Sequence, residues 1–191
     1  MKNSLKILIC LLLLSPFARA QNYSIVIKGG RVIDPKNGID KIMDVAVRDG
    51  KIAAMQTNID TSGARQVVHA KGMLVVPGLI DIHGHYYFGT EPDHYLSNGL
   101  VAVAPDGFTL RNGVTTTVDC GGAGWRNFTT FKRNIIDHAT TRVLAFLNIV
   151  GEGMRGGAWE QDTSDMDARL AAMVAKQYDH LIVGFKVAHF E

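Results

Sequence analysis

Val75-Val76-Pro77-Gly78-Leu79-Ile80-Asp81-Ile82-His83-Gly84-His85 is the stretch from which the rest of this 191-residue chain is read. A Pro-Gly turn leads into a short apolar run, and the run ends in two imidazoles one residue apart. Side chains on a strand alternate between faces, so Asp81, His83 and His85 are predicted on one side, with Ile80 and Ile82 packed on the other. That delivers two imidazole donors to one point at the strand's C-terminal end, a chelating pair. Asp81 is expected to fix the strand end or a histidine tautomer rather than to bind metal.

Downstream of Pro77, apolar runs alternate with helical stretches, which argues for parallel βαβ units. Strands are predicted over 79–83, 115–120, 142–150 and 181–187, with helices near 105–111, 125–138 and 164–179. In the last helix Met166, Leu170, Met173 and Val174 form one stripe at helical spacing, read as core, with Ser164 and Asp165 as caps. Upstream, short alternating strands are predicted over 24–28, 31–33, 44–48, 51–56 and 66–69, and Asp49-Gly50 is a strong type I′ hairpin signal. In Val183-Gly184-Phe185-Lys186-Val187-Ala188, the residues Val183, Phe185 and Val187 form an apolar face suited to a helix layer. Gly184, Lys186 and Ala188 then point inward. An unpaired buried ammonium is costly and lysine shifts its pKa readily, so Lys186 requires a compensating partner, unless it sits at a rim where its stem reaches solvent or a carboxylate.

The N-terminus reads as a signal peptide over 1–20: Lys2 and Lys6, an apolar core over 7–14, then Ala18-Arg19-Ala20 before Gln21. The core is far short of the ~20 residues that span a bilayer, so the mature protein is expected in the periplasm or secreted, free of the membrane. Without Lys2, Lys6 and Arg19 the twenty basic residues become seventeen against eighteen acidic ones, and nothing suggests a nucleic-acid surface. Cys120 is then the one cysteine left, which rules out an internal disulfide, and it reads as a small buried residue at a strand end. A small β domain is expected over 21–76 and a second domain over 77–191.

Pro77-Gly78-Leu79-Ile80-Asp81-Ile82-His83-Gly84-His85 resembles the first barrel strand of the amidohydrolase superfamily of metal-dependent hydrolases. Ile27-Lys28-Gly29-Gly30-Arg31-Val32-Ile33-Asp34-Pro35 resembles the opening of the small β domain these enzymes carry, and Gly113-Val114-Thr115-Thr116-Thr117-Val118-Asp119 their second barrel strand. The stretch 112–124, Arg142-Val143-Leu144-Ala145-Phe146-Leu147-Asn148-Ile149 and Val183-Gly184-Phe185-Lys186-Val187 point to the deacetylase and dihydroorotase-like branch. The likeness covers nearly all of 23–191. It implies an α/β fold, the N-terminal half of a (β/α)₈ TIM barrel, preceded by part of a small β-sandwich domain. Because the chain stops a few residues after its fourth barrel strand, the expectation is a truncated barrel with two open strand edges and unburied apolar faces, which invite association; a homo-oligomer stays open.

The resemblance further implies an exported hydrolase that cleaves an amide or ester of a small acylated substrate with a hydroxide held between two divalent ions. His83 and His85 would bind the more buried ion, and Lys186, as a carbamate derived from carbon dioxide, would bridge to the second; the donors favour Zn²⁺. Two further histidines and a general-base Asp are expected beyond Glu191, so no catalytic residue is assigned within the chain. Loops after barrel strands form the active-site face, which makes Tyr86, Tyr87, Gly121, Gly122, Asn148, Glu152 and Arg155 the candidates for substrate contact. Tyr87, Asn148 and Arg155 are taken as substrate-binding, with Arg155 a clamp for a carboxylate-bearing substrate such as an N-acyl amino acid. Gly121-Gly122-Ala123-Gly124 either cradles an anion or permits a tight turn. His69, His94, His138, His180 and His189 are assigned to surface and loops. The alternatives are a dihydroorotase-like cyclic amidase, a non-catalytic binding protein on the same fold, and an inactive fragment.

Overall fold

In the computed structural model, which describes residues 23–88, 102–154 and 160–187, the chain divides into two units at Pro77 and Gly78. The leader expected over 1–20 and the residues Arg155, His94 and His189 lie outside the described residues. Among the described residues no helix is long and apolar enough to cross a membrane.

The first unit is one five-stranded sheet, ordered β3-β2-β1-β4 with β5 also paired to β1. Strand β1 (Ile25–Asp34) merges the two short strands predicted from sequence, because Gly29 takes a φ of 70° and lets the chain bulge between Ile27 and Gly30 without breaking. Antiparallel β2 (Ile39–Arg48) and β3 (Lys51–Gln56) are joined by Asp49 and Gly50 at φ 52° and 70°, the positive angles that a type I′ turn demands. Strands β4 (Val67–His69) and β5 (Leu74–Val75) run parallel to β1. The described residues of this unit form one sheet, as part of a small β-sandwich domain would. Val26 and Ala46 are fully buried at its centre.

The second unit is a four-stranded parallel sheet in the order β6-β7-β8-β9: Leu79–Gly84, Val114–Gly124, Arg142–Asn148 and Ile182–Lys186. Helices α1 (Pro105–Phe108), α2 (Phe128–Asn134) and α3 (Ala168–Gln177) fill the crossovers. Alternate residues Val143, Ala145 and Leu147 present one face of β8, and Phe128, Phe131 and Ile135, spaced three and four apart in and after α2, pack over it with Ala171 of α3 and Ile182 of β9. This is the mixed α/β half-barrel architecture.

Three expectations are corrected here. The cap of α3 is Asp167, whose carboxylate accepts from Leu170 N at 2.9 Å, because Ser164 and Asp165 belong to a separate 3₁₀ turn that the extended Met166 ends. Met173 leaves the core stripe and is 58% exposed; Ala171, Val174 and Ala175 make the contact instead. Ile80 and Ile82, expected to pack, are 65% and 66% exposed among the described residues.

Asp106, in α1, ties that helix to the entry of β8 by accepting the backbone N–H groups of Thr140 and Thr141, each at 2.8 Å. These bonds lower its pKa to about 2. A carboxyl depressed by folding stabilises the native state above its unfolded pKa of about 3.9 and loses that contribution as pH falls through the folded value. Asp106→Asn is therefore expected to cost about 1 kcal/mol at neutral pH, allowing for its partial exposure. The gap between the two denaturant midpoints should close between pH 4 and pH 2, a window set by those same two pKa values.

Candidate metal centre

His83 and His85 stand at the C-terminal end of β6 with their rings in edge contact, centroids 5.8 Å apart and planes at 78°. Strict alternation alone does not put them there. The ladder between β6 and β7 slips between Asp81 and Gly84, so one extra residue is accommodated on β6; such a bulge re-aims side chains. Asp81 closes it by accepting His83 N at 3.0 Å on one oxygen and the Tyr86 hydroxyl at 3.3 Å on the other.

His85 is half-buried, and its Nδ1 is buried without a hydrogen-bond partner. Buried nitrogens are ordinarily paired. Burial lowers the pKa of this imidazole, and His83 and Lys186 lower it further against the pull of Asp119 and Glu160. The result is a neutral ring at neutral pH, the form that donates a lone pair to a metal.

Lys186 ends β9 directly across from Asn148, the last residue of β8. Its stem lies over Gly121, where a Cβ would come within 2.4 Å of Lys186 Cγ; the φ of 85° there also suits glycine. The half-buried amine therefore shares the C-terminal ends of the strands with the two imidazoles and is close enough to influence His85.

Asp119 carried no role in the sequence reading and proves central. It is fully buried on β7 and accepts three backbone N–H groups: Tyr86 at 2.7 Å and Tyr87 at 3.1 Å on Oδ2, and Gly122 at 2.6 Å on Oδ1. Burial pushes its carboxyl pKa up, and those three donors together with His85 oppose the shift. Glu160, also buried and felt by His85, was missed as well; an isolated acid in Ala158-Trp159-Glu160-Gln161 offers no spacing to read.

Of the residues expected to touch substrate, Tyr87 is 2% exposed and turns its ring into the core, 4.8 Å from Phe131. That placement removes its side chain from the loop face, because an aromatic ring gains more by packing than by facing solvent. Asn148 is fully buried and staples β8 to β7, donating to Gly121 O at 3.1 Å and accepting Val150 N at 3.0 Å. Arg155 lies outside the described residues. His69, His138 and His180 are exposed and Cys120 is buried.

Among the described residues no three His, Cys, Asp or Glu side chains gather at one point. What stands at these strand ends is two imidazoles in ring contact and a lysine near enough to bear on His85. The orphaned Nδ1 and the paired rings fit a divalent ion that takes nitrogen donors, and an oxygen-bearing derivative of the amine would add a third ligand.

No protein-family model matches the chain. It is 34% identical to a deacetylase of Agrobacterium fabrum over 143 residues, covering 73% of this chain and 33% of that protein. It is 43% identical to a dihydroorotase of Streptococcus pneumoniae over 86 residues, covering 44% of this chain and 20% of that one. The crystal structure of a dihydroorotase superposes with a TM-score of 0.72 at 26% identity, covering 86% of this chain and 42% of the other. The chain thus spans a third or less of the length of the curated relatives it matches.

Proposed function

We infer the function from one premise: this chain belongs to the amidohydrolase superfamily, in its deacetylase and dihydroorotase-like branch. The whole protein is accordingly a hydrolase of carbon–nitrogen bonds, and its substrate an acylated amine of the kind an N-acyl amino acid deacylase cleaves. The observation that carries the reading is the ring contact of His83 and His85 at the C-terminal end of β6, with the His85 Nδ1 buried and unpaired and Lys186 at the end of β9 near enough to bear on His85, since active sites on such barrels are built there.

When bound, two divalent ions, Zn²⁺ by preference, supply a water acidified to about neutrality and a polarised carbonyl. The protein's part is to hold them. His83 and His85 present their imidazoles, and burial of His85 favours its neutral form. Lys186 would contribute as a carbamate: its ammonium gives up one proton, the neutral amine adds to carbon dioxide and a second proton leaves, so that a cation would become an anion able to offer oxygen donors. Asp81 holds the His83 backbone. A cyclic amide is the second substrate reading, favoured by the 43% identity to a dihydroorotase over 86 residues.

Export through the 1–20 leader places this activity in the periplasm or outside the cell. One experiment tests location and metal together. Full-length protein purified from the exported fraction without chelators is expected to begin at Gln21 and to carry about two divalent ions, as a two-metal hydrolase requires. His83→Ala is expected to lose at least one of them. A mass that retains 1–20 overturns export, and full turnover in a metal-free preparation overturns the metallohydrolase.

A further inference from the structure

We propose that Asp119 is a positioning residue whose carboxylate ties the segment that carries His85 to the C-terminal end of its own strand β7, on which the Lys186 stem rests, so that imidazole and amine keep one relative placement. The inference rests on the metal-centre reading above and names the device that holds that centre together.

The ladder between β6 and β7 ends at the pair Gly84 and Asp119, just after the slip that follows Asp81. His85 lies beyond that last pair, so strand pairing does not fix it. The next two residues are held by Asp119, which takes Tyr86 N and Tyr87 N on one oxygen. Its other oxygen takes Gly122 N, and the residue before Gly122 is Gly121, the floor under the Lys186 stem. Gly122 is itself required for the approach, since a Cβ there would meet Asp119 Oδ1 at 2.8 Å. One side chain thus reaches the segment that carries His85 and the stretch of β7 that supports Lys186.

The chemistry explains why the residue is an aspartate. A fully buried carboxylate is costly to desolvate, and it is an acceptor on both oxygens. An asparagine of equal size accepts on one side only and sets an N–H₂ group against an N–H on the other. A residue needed only to fill space at this point would be better served by an apolar side chain.

The test compares Asp119→Asn and Asp119→Ala with Thr141→Val in full-length protein. Thr141 makes a buried 2.6 Å hydrogen bond to Thr109 at the entry of β8, at the opposite end of the strands, so its loss lowers stability without touching the site. Co²⁺ affinity and its visible absorption are read on metal-stripped protein, and amide hydrogen exchange is followed at Tyr86, Tyr87 and Gly122. Both Asp119 variants are expected to bind Co²⁺ about 10- to 100-fold more weakly, the range found when a partner behind a metal ligand is removed. Their absorption should change and their three amides exchange faster, while Thr141→Val leaves all of these as in the wild type. Wild-type affinity and exchange in the Asp119 variants overturn the proposal, as does equal weakening in Thr141→Val. Should wild-type protein bind no Co²⁺, the metallohydrolase reading falls, and the exchange of the three amides still decides whether Asp119 is the lock. If Asp119→Ala does not fold, the isosteric Asn variant carries the comparison.

Discussion

Lys186→Arg should leave full-length protein short of one metal ion and lower its turnover by ~10³-fold or more, a small part of the ~10⁶-fold or greater acceleration enzymes provide. Arginine keeps the charge and the length of the side chain. It differs in being protonated at every accessible pH, so it cannot add to carbon dioxide and cannot become an anion. Lys186→Ala should fail in the same way, but it leaves space over Gly121, and short carboxylic acids are expected to restore part of both metal and turnover by supplying two oxygens. Metal analysis beside a rate measurement separates the outcomes. An arginine variant with normal metal content and normal rate would make Lys186 a rim cation and would remove the second ion from the proposed mechanism.

Gly121→Ala is expected to cost about 2 to 4 kcal/mol in stability and to disturb the Lys186 position at the same time. The backbone contribution comes from a side chain forced to φ 85°, which for a residue other than glycine costs roughly 1–2 kcal/mol. The rest comes from contact: the new methyl would lie 2.8 Å from Lys186 Cβ and 2.4 Å from its Cγ, atoms near the main chain that cannot swing aside as a side-chain tip does. Denaturant midpoints report the first part and metal content the second. A variant that loses stability while binding metal normally would show that the lysine does not depend on its glycine floor.

Much of this architecture is legible in the residues because it is written in short-range chemistry. Asp49-Gly50 announces its turn through the positive angles it adopts, and the apolar runs of β7 and β8 announce parallel strands buried on both faces. The likeness of Pro77 to His85 to a known first strand identifies the superfamily. What the residues conceal depends on tertiary contacts. The slip in β6 has no local mark in Asp81-Ile82-His83-Gly84; it exists because the pairing with β7 and the bond from Asp81 to His83 favour it. Tyr87 follows two histidines and could face either way until Phe131 is known to wait behind it. Asp119, at the end of Val114-Thr115-Thr116-Thr117-Val118, looks like an ordinary strand terminus, since two of its three partners, Tyr86 and Tyr87, come from more than thirty residues away. Ser164 and Asp167 are both good caps by residue type, and the extended backbone at Met166 selects the second.

The strands that carry the candidate ligands, β6 and β9, are the outer pair of the described four-stranded sheet, each hydrogen-bonded along one side. In the proposed metal centre, an ion held by donors on β6 and on β9 would act as a clasp across these four strands. At a hundred times its dissociation constant it would add about 2.7 kcal/mol to the folded state. Retaining the ion and keeping β6 and β9 in place would then become one equilibrium.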